Sequence, residues 1–265
     1  MLAYKRMGKG ETCVFVLHGW FGDWSVWEPA FALLDQEHFT YVFVACRGYG
    51  ASRALAGPYT MGQISADVRE LAAELGWQRY AVVGHSMGGM AAQRVAIDAP
   101  DAVSGVVGVT PVPACGVSLP AEALRLFESA SHDDAAAAAV VEGSLGRRLT
   151  PALTNLILAQ KRASVAPGVF SAYLKAFTET DFSGECADYA GPVLVLAGQH
   201  DQGVSEEFVR ATFPRLYRNV QLQVLPNVGH YPMVESPAYL VTVIEDFLRQ
   251  LAAVPAAIHT QGVSP

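Results

Sequence analysis

Short runs of apolar residues recur along the chain and alternate with longer stretches of helical spacing. Apolar runs of this length are typical of strands buried on both faces, as in parallel sheets. The runs that we interpret as strands cover residues 13–17, 41–45, 80–84, 106–109, 193–197 and 220–225. The stretches with helical spacing cover residues 25–35, 61–75, 90–96, 205–213 and 237–251. The alternation predicts an α/β fold: a mainly parallel twisted sheet with helices on both faces.

The pattern changes after Pro111-Val112-Pro113, where the apolar runs stop. Residues 116–187 contain no convincing strand and show several helical stretches, which predicts a helical cap inserted between two sheet strands. The alternative is that these helices belong to the main layer. We therefore expect an α/β core in two parts, residues 1–115 and 188–251, separated by the cap at 116–187. Residues 252–265 have little periodicity and are predicted to form a flexible tail.

Composition and charge narrow the class of protein. The chain has 265 residues, of which 51% are hydrophobic and 16% charged, so one large α/β domain can fill its core. The formal net charge of −7 argues against a nucleic-acid partner or an anionic membrane surface. The four cysteines lack C-x-x-C spacing, and the N-terminus lacks the apolar segment of a signal peptide. Without an apolar stretch long enough to span a membrane, we expect a soluble, cytoplasmic protein. Its oligomeric state is left open.

One motif stands at the junction of a predicted strand and a predicted helix. Val82 and Val83 run into Gly84-His85-Ser86-Met87-Gly88, and a helix-compatible segment follows. Strand, Gly-x-Ser-x-Gly turn and helix are the context of a nucleophile elbow, which presents Ser86 at the apex of a sharp turn. The glycines leave room where strand and helix approach each other. The positive end of the following helix favours negative charge that develops beside Ser86.

Two further candidates follow later strands, at the same predicted edge of the sheet. Asp201 comes directly after the run at 193–197, and His230 lies in the loop after the run at 220–225. A serine nucleophile needs a base to accept its proton and an acid to orient that base. The order Ser, Asp, His matches the elbow-type hydrolases. The sequence therefore predicts a catalytic triad of Ser86, Asp201 and His230.

The chain resembles the α/β-hydrolase superfamily over about residues 10–250, and within it the non-haem haloperoxidase-like serine esterases. The segments that carry this resemblance are His18-Gly19-Trp20, Arg47-Gly48-Tyr49-Gly50-Ala51-Ser52, Gly84-His85-Ser86-Met87-Gly88-Gly89, Thr180-Asp181-Phe182, Gly198-Gln199-His200-Asp201-Gln202 and Gly229-His230. The resemblance implies that Ser86 is the nucleophile, His230 the general base and Asp201 the orienting acid. It also implies an oxyanion hole formed by the backbone N–H groups of Trp20 and Met87.

One position departs from the pattern of the family. Another position argues against two activities that occur in the family. Many relatives have Asp two residues before the Arg of the Arg-Gly-x-Gly segment, where this chain has Ala45. The serine at 86 disfavours dehalogenase and epoxide hydrolase activity, because those members carry Asp there. By the same resemblance, His18 supports the oxyanion loop. We expect His85, at the variable position of the elbow, to pack beneath it.

These features lead to one functional hypothesis and two alternatives. We expect a serine hydrolase, without metal or cofactor, that cleaves a small-molecule carboxylic ester or lactone through an acyl-enzyme on Ser86. One alternative is a hydrolase of carbon–carbon bonds of the meta-cleavage type, which carries the same Gly-x-Ser-Met-Gly-Gly segment. The other is a hydrolase-like ligand receptor with slow turnover. The sequence leaves acyl-chain length and stereochemistry open, because the cap side chains decide them.

Overall fold

The core is a seven-stranded sheet with the strand order β1-β3-β2-β4-β5-β6-β7. The structure, a computed structural model, describes residues 1–253. Only β1 is antiparallel, and it pairs with β3 at one edge. The strands are β1 (Tyr4–Gly8), β2 (Thr12–Leu17), β3 (Phe39–Val44), β4 (Tyr80–His85), β5 (Val103–Val109), β6 (Val193–Gly198) and β7 (Val220–Leu225). The predicted α/β fold with a mainly parallel sheet is confirmed.

Helices cover the sheet and fill the connections between its strands. α1 and α2 pack against each other, α2 also packs on β4 and β5, and α9 contacts β5. The α-helices are α1 (Met61–Glu74), α2 (Met87–Asp98), α3 (Ala121–Ser129), α4 (Asp134–Ser144), α5 (Pro151–Ser164), α6 (Pro167–Glu179), α7 (Glu206–Leu216), α8 (Pro232–Glu235) and α9 (Pro237–Ala253). Short 3-10 helices lie at Trp24–Leu33, Gly50–Ser52 and Ser183–Asp188.

Two elements differ from the sequence-based expectation. The strand Tyr4–Gly8 was not predicted, because an edge strand with exposed positions lacks a continuous apolar run. The segment with helical spacing at 25–35 is a 3-10 helix rather than an α-helix, and it contains Pro29. Proline has no N–H to donate to the preceding turn, which disfavours a regular α-helix there.

Four helices, α3 to α6, lie between β5 and β6 and form the predicted helical cap. Their buried side chains, such as Phe170 and Tyr173 of α6, join the hydrophobic core cluster of the sheet. The stacked rings of Trp20 and Phe170, with centroids 3.8 Å apart, connect the loop after β2 to α6. The domain boundaries at 116 and 187 stay a prediction, and most of the predicted flexible tail (254–265) lies outside the described residues.

Several sequence features can be checked against the described residues. No helix within residues 1–253 is both long and apolar enough to cross a membrane. All four cysteines are free. In the same part of the chain, no three His, Cys, Asp or Glu side chains lie together as metal ligands would.

Candidate active site

Ser86 lies at the apex of the sharp turn between β4 and α2. Its backbone has φ 54° and ψ −118°, in the region that L-residues rarely adopt. Close packing on both sides explains the glycines that flank it: a Cβ at Gly84 would lie 2.1 Å from the carbonyl oxygen of Gly88. A Cβ at Gly88 would lie 2.5 Å from the carbonyl oxygen of His18. The turn is therefore a strained elbow held between β2 and α2.

Ser86, His230 and Asp201 form one chain of hydrogen bonds. His230 Nε2 lies 2.9 Å from Ser86 Oγ. His230 Nδ1 lies 2.6 Å from Asp201 Oδ2. When Nδ1–H donates to the carboxylate, the lone pair of Nε2 faces the serine hydroxyl and accepts its hydrogen. The structure thus brings together the three side chains that the sequence singled out.

The loop after β6 holds the Asp201 carboxylate. The side chain is fully buried, and its second oxygen accepts hydrogen bonds from the amides of Gly203 at 2.9 Å and Val204 at 3.0 Å. These donors stabilise a negative charge that burial alone would disfavour. The carboxylate is therefore positioned by backbone groups on one side and by the imidazole of His230 on the other.

The loop after β2 lies directly against the nucleophile. A Cβ at Gly19 would come within 3.2 Å of Ser86 Cβ, so the peptide that leads to Trp20 borders the serine. Within residues 1–253 the amides of Trp20 and Met87 donate to no protein acceptor. His18 orders this loop: its Nδ1–H donates to the Gly19 carbonyl, and its Nε2 accepts from the Cys46 amide. Burial lowers the pKa of His18, so the ring stays neutral in this role.

His85 contacts the loop that carries His230. Its Nε2–H donates to the His230 carbonyl oxygen at 2.8 Å, and the Thr110 hydroxyl lies 3.0 Å from the same oxygen. Burial lowers the pKa of His85 well below its usual value; the charge of His230 acts in the same direction, and the hydrogen bond to the His230 carbonyl opposes it. His85 therefore packs beneath the elbow, as expected from the sequence, and in addition anchors the loop of the base.

An apolar cavity of about 90 Å³ opens beside Ser86 and His230. Trp20 and Phe21 border it from the loop after β2, and Val204 from the loop after β6. The cap closes the other side with Val117, Leu119, Phe127, Val140, Ser144 and Phe177. No Asp, Glu, Lys or Arg of residues 1–253 lines it. The cavity therefore suits an uncharged, apolar group.

Three interactions around the site were not expected from the sequence. Arg47 binds the Asp67 carboxylate with two nitrogens, at 3.0 and 2.5 Å, and so connects the loop after β3 to α1. At Ala45, where many relatives have Asp, the amide donates to the carbonyl of Ala3 in the strand-edge segment. Glu235 is a third unexpected group: its carboxylate accepts from backbone amides on both sides of His230. The position of Glu235 five residues after His230 is the only sequence signal for it.

Comparisons with known proteins identify the family to which this fold belongs. A sequence model of the α/β-hydrolase fold family matches residues 12–237. A pimeloyl-(acyl-carrier protein) methyl ester esterase of Nitrosospira multiformis is 25% identical and aligns with 94% of this chain and 98% of its own length. The bromoperoxidase of Bacillus anthracis superposes with a TM-score of 0.84 at 20% identity, covering 94% and 95% of the chains. A thermophilic esterase from Thermogutta terrifontis superposes with a TM-score of 0.80 at 25% identity, covering 94% and 93%. The chain belongs to the α/β-hydrolase family.

Proposed function

We propose that this protein is a serine hydrolase that cleaves carboxylic esters through an acyl-enzyme on Ser86. The observation that carries the proposal is the chain of hydrogen bonds from Ser86 Oγ to His230 Nε2 (2.9 Å) and from His230 Nδ1 to Asp201 Oδ2 (2.6 Å), beside an apolar cavity. His230 accepts the proton of Ser86 as Oγ attacks the ester carbonyl. Asp201 keeps Nδ1 protonated and stabilises the imidazolium that forms.

The remaining steps use the same groups. The tetrahedral intermediate collapses, and the leaving alkoxide takes the proton from His230 Nε2. A water molecule then attacks the acyl-enzyme while His230 accepts a proton from it. The second tetrahedral intermediate collapses, its bond to Ser86 Oγ breaks, Oγ takes the proton back from His230 Nε2, and the carboxylic acid is released. The amides of Trp20 and Met87 would stabilise the oxyanion in both halves. Each such donor contributes about 10²–10³ to the rate.

The family of this chain and the lining of the cavity support an ester as the substrate. The chain belongs to a family of hydrolases, and the esterases of Nitrosospira multiformis and Thermogutta terrifontis resemble it along most of their length. The apolar, uncharged lining of the cavity suits a neutral acyl group better than a carboxylate-bearing one. A lactone, as a cyclic ester, fits the same chemistry. Cytoplasmic location stays a prediction from the sequence.

The decisive experiment replaces the nucleophile. Ser86→Ala should lower the kcat for p-nitrophenyl butyrate by about 10⁶ and abolish labelling by a fluorophosphonate, because the attacking oxygen is gone. Its circular dichroism and thermal unfolding should match the wild type. Ser183→Ala is the matched control, because the Ser183 side chain lies outside the cavity. Labelling that persists in Ser86→Ala would refute the assignment of the nucleophile.

The same assays separate the alternatives. Preferential turnover of a ring-fission dienoate over simple esters would identify a carbon–carbon bond hydrolase. Tight binding of a ligand with negligible turnover, together with a large ligand-dependent rise in Tm, would identify a receptor.

A further inference from the structure

We propose that a cap segment, residues 144–148, holds the catalytic histidine in place through Glu235, so that the imidazole is correctly positioned only while the cap is docked. In this proposal Arg148 and Glu235 are positioning residues. The inference rests on the proposed function, because it assumes that His230 acts as the base for Ser86.

Three consecutive backbone amides around His230 are held by only two residues. The amide of Gly229 donates to Glu235 Oε2 at 2.8 Å, and the amide of Tyr231 donates to Glu235 Oε1 at 3.0 Å. Between them, the amide of His230 donates to the carbonyl oxygen of Ser144 at 3.1 Å. Ser144 is the last residue of α4 in the cap. The three backbone N–H groups are thus held by one carboxylate and one cap carbonyl, while the His230 carbonyl accepts from His85 and Thr110 of the core.

The cap also supplies the charge partner of that carboxylate. Arg148 Nη2 donates to Glu235 Oε2, the oxygen that accepts from Gly229. The Glu235 side chain is 2% exposed, whereas Arg148 is 26% exposed at the rim of the cap. Burying a carboxylate to this degree is costly unless a positive charge and hydrogen bonds compensate it. Arg148 therefore stabilises the charge on the group that orders the histidine loop.

Close packing leaves the cap segment little freedom to slide over these loops. A Cβ at Gly229 would lie 2.9 Å from both Leu145 Cα and the Ser144 carbonyl oxygen. A Cβ at Gly146 would lie 2.8 Å from the carbonyl oxygen of His200, the residue before Asp201. The segment therefore contacts the loop of the base and the loop of the acid at backbone distance.

These contacts have a mechanical consequence. If the cap segment separates from the core, His230 loses the Ser144 carbonyl, and Glu235 loses its cation. A Glu235 carboxylate without a cation would turn towards water and release the amides on both sides of His230. His230 would keep its contacts with His85, Thr110 and Asp201, but without its N–H partners the distance between Nε2 and Ser86 Oγ would be held less tightly. Movement of the cap that admits substrate would also disengage the base, so the chemistry would proceed only with the cap closed.

The test compares neighbouring arginines. Arg148→Ala should lower kcat for p-nitrophenyl acetate about tenfold with little change in KM, because misplacement of a catalytic group by a fraction of an ångström reduces the chemical step. The rate of fluorophosphonate labelling should fall by the same factor. Arg148→Lys should restore most of the loss. Arg147→Ala is the matched control: Arg147 is 67% exposed and faces the exposed Glu142, so both rates should stay at the wild-type value.

A double-mutant cycle tests whether Arg148 acts through Glu235. Glu235→Gln should lower kcat at least as much as Arg148→Ala, since an amide can accept through only one of its two terminal atoms. The double variant should be no slower than Glu235→Gln alone. Rates are normalised to the Ser86 titrated by prolonged labelling, so partial unfolding does not count as slower chemistry.

The results that would refute this inference differ from the results that would refute the proposed function. If wild-type protein hydrolyses esters and Ser86→Ala does not, but Arg148→Ala keeps the wild-type kcat or changes KM alone, the coupling is refuted. Additive losses in the double variant would also refute it. If Ser86→Ala keeps its activity, the proposed function itself is wrong. If Glu235→Gln does not fold, the comparison of Arg148→Ala, Arg148→Lys and Arg147→Ala still decides.

Discussion

The sheet and the cap contribute to the site in different ways. Every residue of β4 and β6 is buried, and the loops after these strands carry Ser86 and Asp201. Helix α3 of the cap contains no fully buried residue, although its Phe127 lines the cavity. The positions of the reacting atoms therefore depend on strand pairing and backbone hydrogen bonds. On the cap side the shape of the cavity depends on side chains such as Phe127, and we expect a substitution in α3 to change that shape at lower cost in stability.

Among the predictions that compare the two regions, the largest effect is expected where the loop after β6 positions Asp201. Asp201→Asn should lower kcat about 10⁴-fold, because an amide at this position favours the wrong imidazole tautomer and leaves the imidazolium without a charge partner. Exposed Asp101 provides the matched control, and Asp101→Asn should keep the wild-type kcat. Steady-state rates on p-nitrophenyl butyrate measure both. If Asp201→Asn stays within tenfold of the wild type, another carboxylate orients His230.

The same substitution should have opposite effects in the two regions. Gly88→Ala places a methyl group 2.5 Å from the His18 carbonyl oxygen and 2.8 Å from that of Leu17. The backbone must shift, which we expect to cost about 1–3 kcal/mol of stability and most of the activity. Gly143→Ala, in α4, meets nothing within 4 Å, and should stabilise the protein by about 0.5–1 kcal/mol. Denaturant unfolding compares them, and equal changes would contradict the distinction between sheet and cap.

The sequence predicted the buried part of the sheet better than it predicted how the cap docks on it. The buried strands and the proximity of Ser86, Asp201 and His230 could be predicted, since continuous apolar runs mark the strands and parallel strand ends meet at one edge of the sheet. The antiparallel edge strand Tyr4–Gly8 could not, because its pairing with β3 leaves no pattern in its own residues. The contact between Arg148 and Glu235 joins residues 87 positions apart. No local spacing encodes such a contact, which depends on how the cap docks.

The third prediction that compares sheet and cap concerns the length of the acyl chain that the cavity accepts. Phe127 stacks on Trp20 with ring centroids 5.6 Å apart and lines the cavity from the cap. Phe127→Ala should raise the ratio of kcat/KM for p-nitrophenyl octanoate to that for the acetate about tenfold, because a longer apolar chain gains burial in the enlarged cavity. Leu126→Ala removes a side chain that is 36% exposed and lies outside this cavity, so the ratio should not change. An unchanged ratio in Phe127→Ala would mean that the acyl chain binds elsewhere.

The smallest effect is expected on the free energy of unfolding when a charge pair is removed from α2 or from the cap. This effect depends on pH. Asp98 in α2 binds Arg94 and accepts from Ser65 Oγ at 2.6 Å. Burial raises the pKa of Asp98, but the hydrogen bonds from Arg94 and Ser65 outweigh it, so the pKa lies below its usual 3.8. Because the folded-state pKa is lowered, the contribution to stability is present above pH 3.8 and is lost as the pH falls through the folded-state pKa.

Asp98→Asn should therefore lower the free energy of unfolding by about 1 kcal/mol at pH 7 and by much less at pH 3. The matched pair in the cap is Asp134 with Arg162, whose side chains are 56% and 53% exposed. Water screens such a pair, so Asp134→Asn should leave the stability unchanged at both pH values. Urea unfolding at pH 7 and pH 3 measures the two variants. A loss of stability in Asp98→Asn that is equal at both pH values would show that packing, and not the charge of Asp98, connects α1 to α2.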